Sequence, residues 1–503
     1  MESNIRRWAS AALVASLFAA CPAAAAPDTL PSSTLTYATE SLPKSWSPQT
    51  PLSNEWAHLL YETLVQRSPD GSGKVLPLLA THWEQTRTSL TLHLRSGVLF
   101  HDGTPFDASA VKTNIDLRLT EGGYASGNLK AIKNVEVIDA HTVRFDLQTP
   151  NPFLLFSLTG VSLGMGSPKA FADGTIARHP VGTGPMQFDQ GRTIPGGKVV
   201  LDVFPRYWDL SQIHFGRIEV TPVGDAATRV LALKTGRFDM VRLEANVRGL
   251  MKGAPDLKSV GWPAYHSMLI FFDRAGVFRD VRVRQAVCYA LDTEKNSKII
   301  GPDVAVVTGQ RFGVGEYGHS PDFKGYPYDL DKARRLMAEA GNPKIAFTIP
   351  TIAGTLANEE AMARQLREIG IDVKVEAMPL QQYLSAWRSG KYPAGVGLLG
   401  TADDPYSFYQ VLVAPDGPFN YTHARTPEAD AVVAKALAID DLAEAEVVWR
   451  DVSRIVAEQA ITCADIERNM FLAYNAKRLR DVKGFVGFSA TPLWRDIRAV
   501  DEQ

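Results

Sequence analysis

The stretch Leu90–Phe106, with the sequence LTLHLRSGVLFHDGTPF, contains the patterns that decide how this 503-residue chain folds. Leu90, Leu92 and Leu94 alternate with polar residues, which is the period-2 pattern of a strand buried on one face. Ser96-Gly97 interrupts this strand, and Asp102-Gly103 ends a second short apolar run with another typical turn pair. The stretch therefore predicts two short strands separated and followed by tight turns.

A helix is predicted immediately after this stretch. Asp107 stands where an N-cap residue belongs, because its carboxylate can accept hydrogen bonds from the first backbone N–H groups of a helix. Behind it, Val111, Ile115 and Leu119 recur every four residues, the spacing of one helical face. The whole region shows no catalytic set of residues, so we interpret it as scaffold.

Length and composition limit the class of protein. A chain of 503 residues is too long for one hydrophobic core and predicts two or three domains. The net charge of −2 argues against a nucleic-acid-binding protein, which would need a concentrated basic surface. We therefore expect no nucleic-acid partner.

The amino terminus has the three regions of a secretory signal peptide. Arg6-Arg7 precede the apolar run Trp8–Ala20, and the small residues Ala23–Ala26 follow. Cleavage after Ala25 is expected, which makes residues 1–25 the leader and the mature protein periplasmic. The weaker alternative is a lipoprotein anchor on Cys21. Nothing further along the sequence reaches the apolar length of a membrane-spanning helix.

Two cysteines remain in the mature chain, Cys288 and Cys463. In an exported protein they could form a disulfide. Because Cys288 lies in the predicted helix Val281–Leu291, a plain buried thiol is the alternative. The residues alone leave both open.

Strands and helices alternate through the rest of the chain, which predicts an α/β fold. Asn134–Leu147 has the alternating pattern of a hairpin, and Ser267–Phe272 is a continuous apolar run typical of a strand buried on both faces. Further along, the helix Glu359–Ile369 stands between two apolar strands, Ile345–Ile349 and Val373–Ala377. That order predicts a right-handed βαβ unit with parallel strands.

Several motifs together resemble one known family. They are Ala80–Trp83 continuing into the opening stretch, Pro180–Pro185 (PVGTGP), Asp280–Asp292 (DVRVRQAVCYALD) and Tyr328–Gly341 (YDLDKARRLMAEAG). In this order they resemble the family 5 extracytoplasmic solute-binding proteins, the peptide- and nickel-type receptors of bacterial ABC importers. The resemblance extends over essentially the whole mature chain.

The resemblance implies a class II type periplasmic binding protein with two lobes and a ligand cleft between them. Lobe I would comprise residues 28–263, including an extra subdomain at 52–171, and lobe II residues 267–480. Residues 482–503 would return to lobe I. The chain would cross between lobes near Tyr265-His266 and near Tyr474-Asn475. Such a protein is no enzyme, and it captures a peptide-like or metal-chelate-like solute for an ABC permease of the inner membrane.

Two alternatives come from other functional classes. Gly160–Gly164 matches the G-x-S-x-G pattern, so a secreted serine hydrolase would use Ser162 as its nucleophile. A chaperone-like protein that binds peptides weakly in a large cleft is the other.

His82, His93 and His101 lack the spacing of a helical zinc pair. We therefore predict no metal site and no cofactor.

The stretch Leu398–Phe408 contains the strongest ligand candidates outside the scaffold. Asp403, Asp404 and Tyr406 lie on a loop stiffened by Pro405, at the carboxyl end of a predicted strand, where α/β folds gather ligand contacts. The alternative for Asp404 is that it simply caps the following helix, and we favour this for Asp404.

This loop departs from the family's specificity patterns. Peptide-binding members carry an Asp, which holds the α-amino group of the peptide, at the position of Thr401. Nickel-chelate members use a Trp at the position of Leu399, an Arg that is absent from Leu158–Met165, and a His after the loop that is also missing. The resemblance therefore leaves the solute undetermined.

From these considerations we expect a monomeric receptor whose ligand contacts come from both lobes. The predicted ligand residues are Tyr37, Thr39, Thr183, Tyr265, His266, Thr401, Asp403 and Tyr406.

Overall fold

The computed structural model describes residues 30–49, 54–70, 74–121, 129–301, 305–313, 316–352, 356–379, 382–383, 385–386, 389–400, 404–439, 441–485 and 491–500. The predicted signal peptide with Cys21 lies outside the described residues, as do the predicted ligand residues Thr401 and Asp403. Among the helices of the described ranges, none combines the length and the apolar character that crossing a bilayer requires.

The strands, numbered in chain order, are β1 (Thr34–Thr39), β2 (Val65–Arg67), β3 (Val75–Pro77), β4 (Ala80–Gln85), β5 (Ser89–Leu94), β6 (Ile132–Asp139), β7 (Thr142–Leu147), β8 (Met186–Phe188), β9 (Val199–Val203), β10 (Arg217–Pro222), β11 (Met240–Leu243), β12 (Leu257–Phe271), β13 (Ala305–Val307), β14 (Ile345–Thr351), β15 (Ile371–Ala377), β16 (Ala394–Gly400), β17 (Thr462–Asn475), β18 (Leu479–Arg480) and β19 (Arg498–Ala499). The α-helices are Asn54–Leu60, Ala108–Glu121, Leu154–Ser157, Pro168–Ala172, Ala226–Lys234, Val281–Ala290, Thr293–Ile300, Leu330–Glu339, Leu356–Arg367, Pro405–Phe408, Pro427–Ala436 and Leu442–Glu458. Short 3₁₀ segments lie at Val161–Leu163, Leu210–Gln212 and Ala245–Met251, and a π-helical turn at Tyr409–Val413.

The largest sheet has the order β16-β12-β17-β11-β1-β10-β9-β8, with β13 added beside β17. Its strand β1 is parallel to both neighbours, β10 and β11, whereas β12 and β17 are antiparallel to each other. At one end, β17 pairs with β11; at the other, β12 pairs with β16 and β17 with β13. The long strands β12 and β17 therefore connect two halves of the molecule.

The scaffold predicted from the opening stretch is confirmed in its main parts. Leu90 and Leu92 are fully buried on β5, and the two turn glycines, Gly97 and Gly103, have the positive φ values of 76° and 83° that glycine adopts readily. Asp107 accepts a hydrogen bond from the backbone N–H of Ala110 at 2.9 Å, as a helix cap should. The second strand is reduced to an isolated bridge, because the two turns leave it no room to extend.

A four-stranded antiparallel sheet of order β4-β5-β7-β6 packs against the helix Ala108–Glu121. The hairpin predicted at Asn134–Leu147 is confirmed as β6 and β7. The predicted apolar face of the helix does not extend to its last member, because Leu119 is 36% exposed. On β6 of the hairpin, Val137 is likewise 38% exposed. Both lie at the margin of this separate core.

The second half contains the predicted βαβ unit. Strands β14 and β15 are parallel, with the helix Leu356–Arg367 between them in sequence. The apolar run Ser267–Phe272 is confirmed as buried strand, but it forms only the end of the 15-residue β12.

The carboxyl-terminal segment packs into the first half of the molecule. Val482, Phe485 and Trp494 join the same hydrophobic core as Tyr37 and Trp56. The Trp494 indole N–H donates to the backbone carbonyl of Glu55, across 439 positions of sequence. This segment therefore completes a core that begins with the first strand. The exact lobe boundaries given above remain a prediction.

A disulfide joins Cys288, on the helix Val281–Ala290, to Cys463 at the start of β17, with 5.7 Å between their Cα atoms. Both residues are buried in the core of the second half. The bond closes a loop of 175 positions, so it restricts the unfolded chain strongly. The disulfide alternative is the correct one of the two left open.

We expect the double substitution Cys288→Ala/Cys463→Ala to lower the free energy of unfolding by about 2–5 kcal/mol, because the unfolded chain regains the entropy of the long loop. Denaturant titration with and without dithiothreitol measures this. Reductant should destabilise the wild type and leave the double variant unchanged. Equal stability of the wild type and the double variant in the absence of reductant would contradict the expectation.

Candidate functional site

Strand β12 passes from one half to the other at Tyr265-His266, and we call this place the crossing. It brings several predicted ligand residues together along the backbone. Tyr265 on β12 pairs with Gly400, the last residue of β16, and with Arg468 on β17. Its neighbour His266 lies opposite Leu399 on one side and Glu467 on the other. Because β16 ends beside the crossing, the loop that follows it starts next to Tyr265 and His266.

Carboxylates surround the buried imidazole of His266. Its Nε2 atom lies 3.5 Å from Oε2 of Glu316, and His266 is fully buried. Burial and then the nearby charge of Glu316 raise the pKa of Glu467. Burial opposes ionisation of Glu316 as well, but the contact with His266 and the charge of Arg311 hold the pKa of Glu316 below its usual value. The crossing is thus a strongly charged, half-buried site.

Sequence reasoning missed Glu316 and Glu467. Glu316 lies in an irregular connection after β13, and nothing in its local sequence marks it as a site residue. Glu467 could have been found only from the strand register, since it stands directly opposite His266. An alternating charged residue within the apolar strand β17 was the one available signal.

The described part of the predicted ligand loop consists of Asp404 and Tyr406. Asp404 accepts hydrogen bonds from the backbone N–H and the hydroxyl of Ser407, at 2.8 and 2.7 Å, and is 4% exposed. The helix-cap interpretation favoured for Asp404 is therefore confirmed. Tyr406 is half-buried, with its ring 5.8 Å from that of Trp449. Burial raises the pKa of Tyr406, so its hydroxyl is a neutral donor.

A short helix of the first half reaches across to the second half. Phe153, which precedes the helix Leu154–Ser157, packs edge-to-face on Tyr317 and Trp449, with ring centroids 5.4 and 5.2 Å apart. Nearby, Arg87 donates two hydrogen bonds of 3.3 Å to the carbonyls of Leu437 and Ala438. The two halves therefore touch through aromatic rings close to Tyr406.

Tyr37 and Thr39 are not placed as ligand residues. Both are buried on β1, and both hydroxyls donate to the same carboxylate oxygen of Glu55, at 2.8 and 2.7 Å. The other oxygen of Glu55 accepts from Arg242 at 2.9 Å. Since this network satisfies the two hydroxyls inside the core of the first half, we correct their assignment to a structural one.

Thr183 lies in the Pro180–Pro185 turn, which presses against the end of the helix Asn54–Leu60. A Cβ atom at Gly182 or Gly184 would collide with the carbonyl oxygens of Leu60 and Leu59, so only glycine allows this approach. Thr183 is fully buried, and among the described residues its hydroxyl has no hydrogen-bond partner. Its side chain is enclosed by protein.

His101 of the opening stretch holds this turn in place. Its Nε2 donates to the carbonyl of Gly184 at 2.9 Å, its Nδ1 accepts from the N–H of Gly182 at 3.2 Å, and its own backbone N–H donates to the carbonyl of Gly182 at 2.9 Å. The contact at Nδ1 requires the neutral imidazole, because a protonated Nδ1 cannot accept a hydrogen bond. Burial accordingly lowers the pKa of His101 to about 4.

We expect His101→Phe to lower the free energy of unfolding by about 2–4 kcal/mol at pH 8, because two buried backbone groups lose their partners. Denaturant titration measures the loss. His141→Phe is the matched control: His141 is exposed in the turn between β6 and β7, so its replacement should change stability by less than about 0.5 kcal/mol. Equal effects of both substitutions would contradict the role of His101.

The stability difference between wild type and His101→Phe should also depend on pH. The folded-state pKa of His101, about 4, lies below the ordinary histidine value of 6.5, so the neutral ring stabilises the fold above pH 6.5. This advantage should shrink by roughly 3 kcal/mol between pH 6.5 and pH 4. Titrations at several pH values measure it, and a constant difference would contradict the assignment.

A cavity of about 90 Å³ lies within the first half, between the helix Asn54–Leu60 and the returning carboxyl-terminal segment. Glu62 at its wall accepts hydrogen bonds from Tyr207, Trp208 and Arg495, at 2.6, 3.0 and 2.8 Å. None of the predicted ligand residues lines this cavity. The charges at its wall are already paired, which favours a structural role for Glu62.

Comparison with known proteins identifies the family. Residues 74–420 match the family model of bacterial extracellular solute-binding proteins, family 5. The chain belongs to this family. It is 28% identical to heme-binding protein A of Haemophilus influenzae over 85% of this chain and 86% of the relative. It is also 28% identical to the glutathione-binding protein GsiB of Pectobacterium atrosepticum, over 89% and 90% of the two chains.

Among solved structures, the fold is similar to that of the ABC transporter-associated periplasmic binding protein DppA from Helicobacter pylori in complex with the peptide STSA. The TM-score is 0.79 at 22% sequence identity, covering 93% of this chain and 98% of that one. This confirms the predicted α/β fold with two lobes, which correspond to the two halves joined by β12 and β17.

Family membership also decides between the functional classes considered from the sequence. The protein is the solute-binding component of an ABC importer and not an enzyme, as predicted. The serine-hydrolase and chaperone-like alternatives find no support. Ser162 lies in a 3₁₀ turn, where an α/β-hydrolase elbow would need a following helix.

Proposed function

We propose that this protein is a periplasmic, monomeric receptor for a short peptide or peptide-like solute, which it delivers to an inner-membrane ABC permease. The signal peptide at residues 1–25 would direct its export, with anchoring through Cys21 the weaker alternative. The solute would lie at the crossing of β12 and β17, between the aromatic contact of the two lobes and the loop that begins after Gly400.

The observation that carries this proposal is the aromatic cluster formed by residues of both lobes. Phe153 comes from the first lobe, whereas Tyr317, Tyr406 and Trp449 come from the second. Aromatic rings contribute large apolar contact areas, and tyrosine adds a hydroxyl donor. Phe153 and Trp449 are buried, whereas Tyr317 and Tyr406 are partly exposed and would present the cluster to the side chains of a peptide-like solute.

The charged residues at the crossing support the same class of solute. Glu316 and Glu467 offer two carboxylates near His266, which suits a ligand with a free amino group. Thr401 stands at the position where peptide-binding members carry an Asp for this purpose. We infer that Tyr265 and His266, Asp403 or the two glutamates take over part of that role.

Solute binding would work by stabilising the closed arrangement of the lobes. A ligand that contacts both lobes favours the state in which they are close together. For a nearly complete shift of population, it must prefer that state by roughly 5.5 kcal/mol. Contacts from Phe153 on one side and from Tyr406 on the other would meet this requirement.

A thermal-shift screen of the purified protein tests the class of solute. We expect one of the di-, tri- or tetrapeptides, glutathione included, to raise Tm by several degrees, because a ligand at 100 times its Kd stabilises the folded state by about 2.7 kcal/mol. Nickel–histidine chelates and opines are the comparison set. A shift with those compounds alone would contradict the peptide proposal.

Once a peptide is found, Phe153→Leu should weaken its binding by roughly tenfold, because the ring contributes about 0.5–1.5 kcal/mol beyond its area in each aromatic pair. Isothermal titration calorimetry measures this. Phe323→Leu is the matched control, because Phe323 also packs edge-to-face, but on Tyr326 away from Trp449. Unchanged affinity in Phe153→Leu would remove the aromatic cluster from the site.

A further inference from the structure

We propose that His266, Glu316 and Glu467 form a binding site for one divalent transition-metal ion such as Zn²⁺, beside the crossing of the two lobes. The same three side chains are candidates for holding the amino group of the solute proposed above, so the metal is tested without added peptide. Its protein ligands are these three side chains alone. It departs from our expectation from the sequence that the chain contains no metal site.

The geometry of the three side chains fits an ion of this size. One potential ligand atom from each residue lies within 4.8 Å of the other two. The Nε2 atom of His266 and Oε2 of Glu316 are 3.5 Å apart. Two ligands bound at about 2.1 Å to a tetrahedral ion would be roughly 3.4 Å apart, so the observed separation matches a shared metal.

The two carboxylates point to the same space. A Cβ atom placed on Gly313 would lie 3.5 Å from Oε2 of Glu316 and 3.6 Å from Oε2 of Glu467. The absent side chain of Gly313 thus leaves room beside both oxygens. A cation between the two carboxylates would relieve the repulsion of two like charges that lie close together.

The positions of the three residues are fixed by the fold before any ion binds. His266 and Glu467 form a cross-strand pair on β12 and β17, whose side chains lie on the same face of the sheet. Glu316 is held by its backbone N–H, which donates to the carbonyl of Gly313, and by its carboxylate, which accepts from the Gly313 N–H. Such preorganisation lowers the cost of assembling a site.

The donor set selects the class of metal. One imidazole nitrogen with two carboxylates suits Zn²⁺ and similar first-row ions, whereas Mg²⁺ and Ca²⁺ prefer oxygen ligands alone. His266 is fully buried, but the side chain of Glu316 remains 24% exposed, so the ion has a route from solvent. Water would complete the coordination. Arg311 is the nearby opposing charge, and the two carboxylates outweigh it.

Equilibrium dialysis of the full-length mature protein against Zn²⁺, after treatment with EDTA and without added peptide, tests the site. We expect one Zn²⁺ per chain by elemental analysis, and visible ligand-field absorption when Co²⁺ replaces it. His266→Ala should weaken Zn²⁺ binding by about 100-fold, because one of three protein ligands is lost. Glu467→Gln, which keeps the shape of the side chain, should also weaken it.

The exposed pair of His93 and Glu84, with 3.9 Å between Nε2 and Oε1, provides the control. His93→Ala should retain one Zn²⁺ with unchanged affinity. Melting curves of the metal-free variants show whether each is folded. If His266→Ala does not fold, the Zn²⁺ affinity of Glu467→Gln provides the test. Wild-type protein without stoichiometric Zn²⁺, or with Zn²⁺ that all variants retain equally, would overturn the proposal. Neither result would affect the proposal for the peptide solute.

Discussion

The neutral imidazole of His101 is the constraint on which much of the first lobe depends. It connects the turn after β5 with the Pro180–Pro185 turn through hydrogen bonds to Gly182 and Gly184. Those glycines allow their segment to lie directly on the end of the helix Asn54–Leu60. His101 thus connects the turn after β5 with the Pro180–Pro185 turn, and that second turn lies on the end of the helix. These contacts require His101 to stay uncharged.

The two crossing strands combine structural and functional roles. Strands β12 and β17 extend through both lobes, and the buried His266 and the half-buried Glu467 stand opposite each other where the lobes meet. An apolar pair at this position would have been simpler for stability, because buried charges are costly unless they are paired. The fold accepts this cost at the position where β12 and β17 pass from one lobe to the other.

The parts that could be predicted from the sequence follow from local patterns. Alternating leucines on β5, the cap at Asp107 and the parallel pair β14 and β15 depend on neighbours within a few residues, and the structure confirms them. The candidate site depends on strand register instead. Nothing local places Glu467 beside His266 or brings Phe153 to Trp449, so both pairs became visible only in three dimensions.

The same reasoning explains the incorrect assignments. Tyr37 and Thr39 stand at the end of a first-lobe strand, where ligand residues often occur, but the buried Glu55 binds both hydroxyls. A single-sequence argument could not foresee this partner, because its carboxylate belongs to a helix that looks amphipathic and ordinary. Asp404 shows the opposite case, since helix capping is a local interaction and was correctly favoured.

The return of the carboxyl-terminal segment to the first lobe has a consequence for biosynthesis. Trp494 joins the core of β1 and donates to Glu55, so the first lobe cannot complete its packing until the last residues have left the ribosome. Domains generally fold as units during synthesis, beginning with the amino-terminal one. Here the connectivity delays that event until after the second lobe has been synthesised, because Trp494 follows the second lobe in the chain.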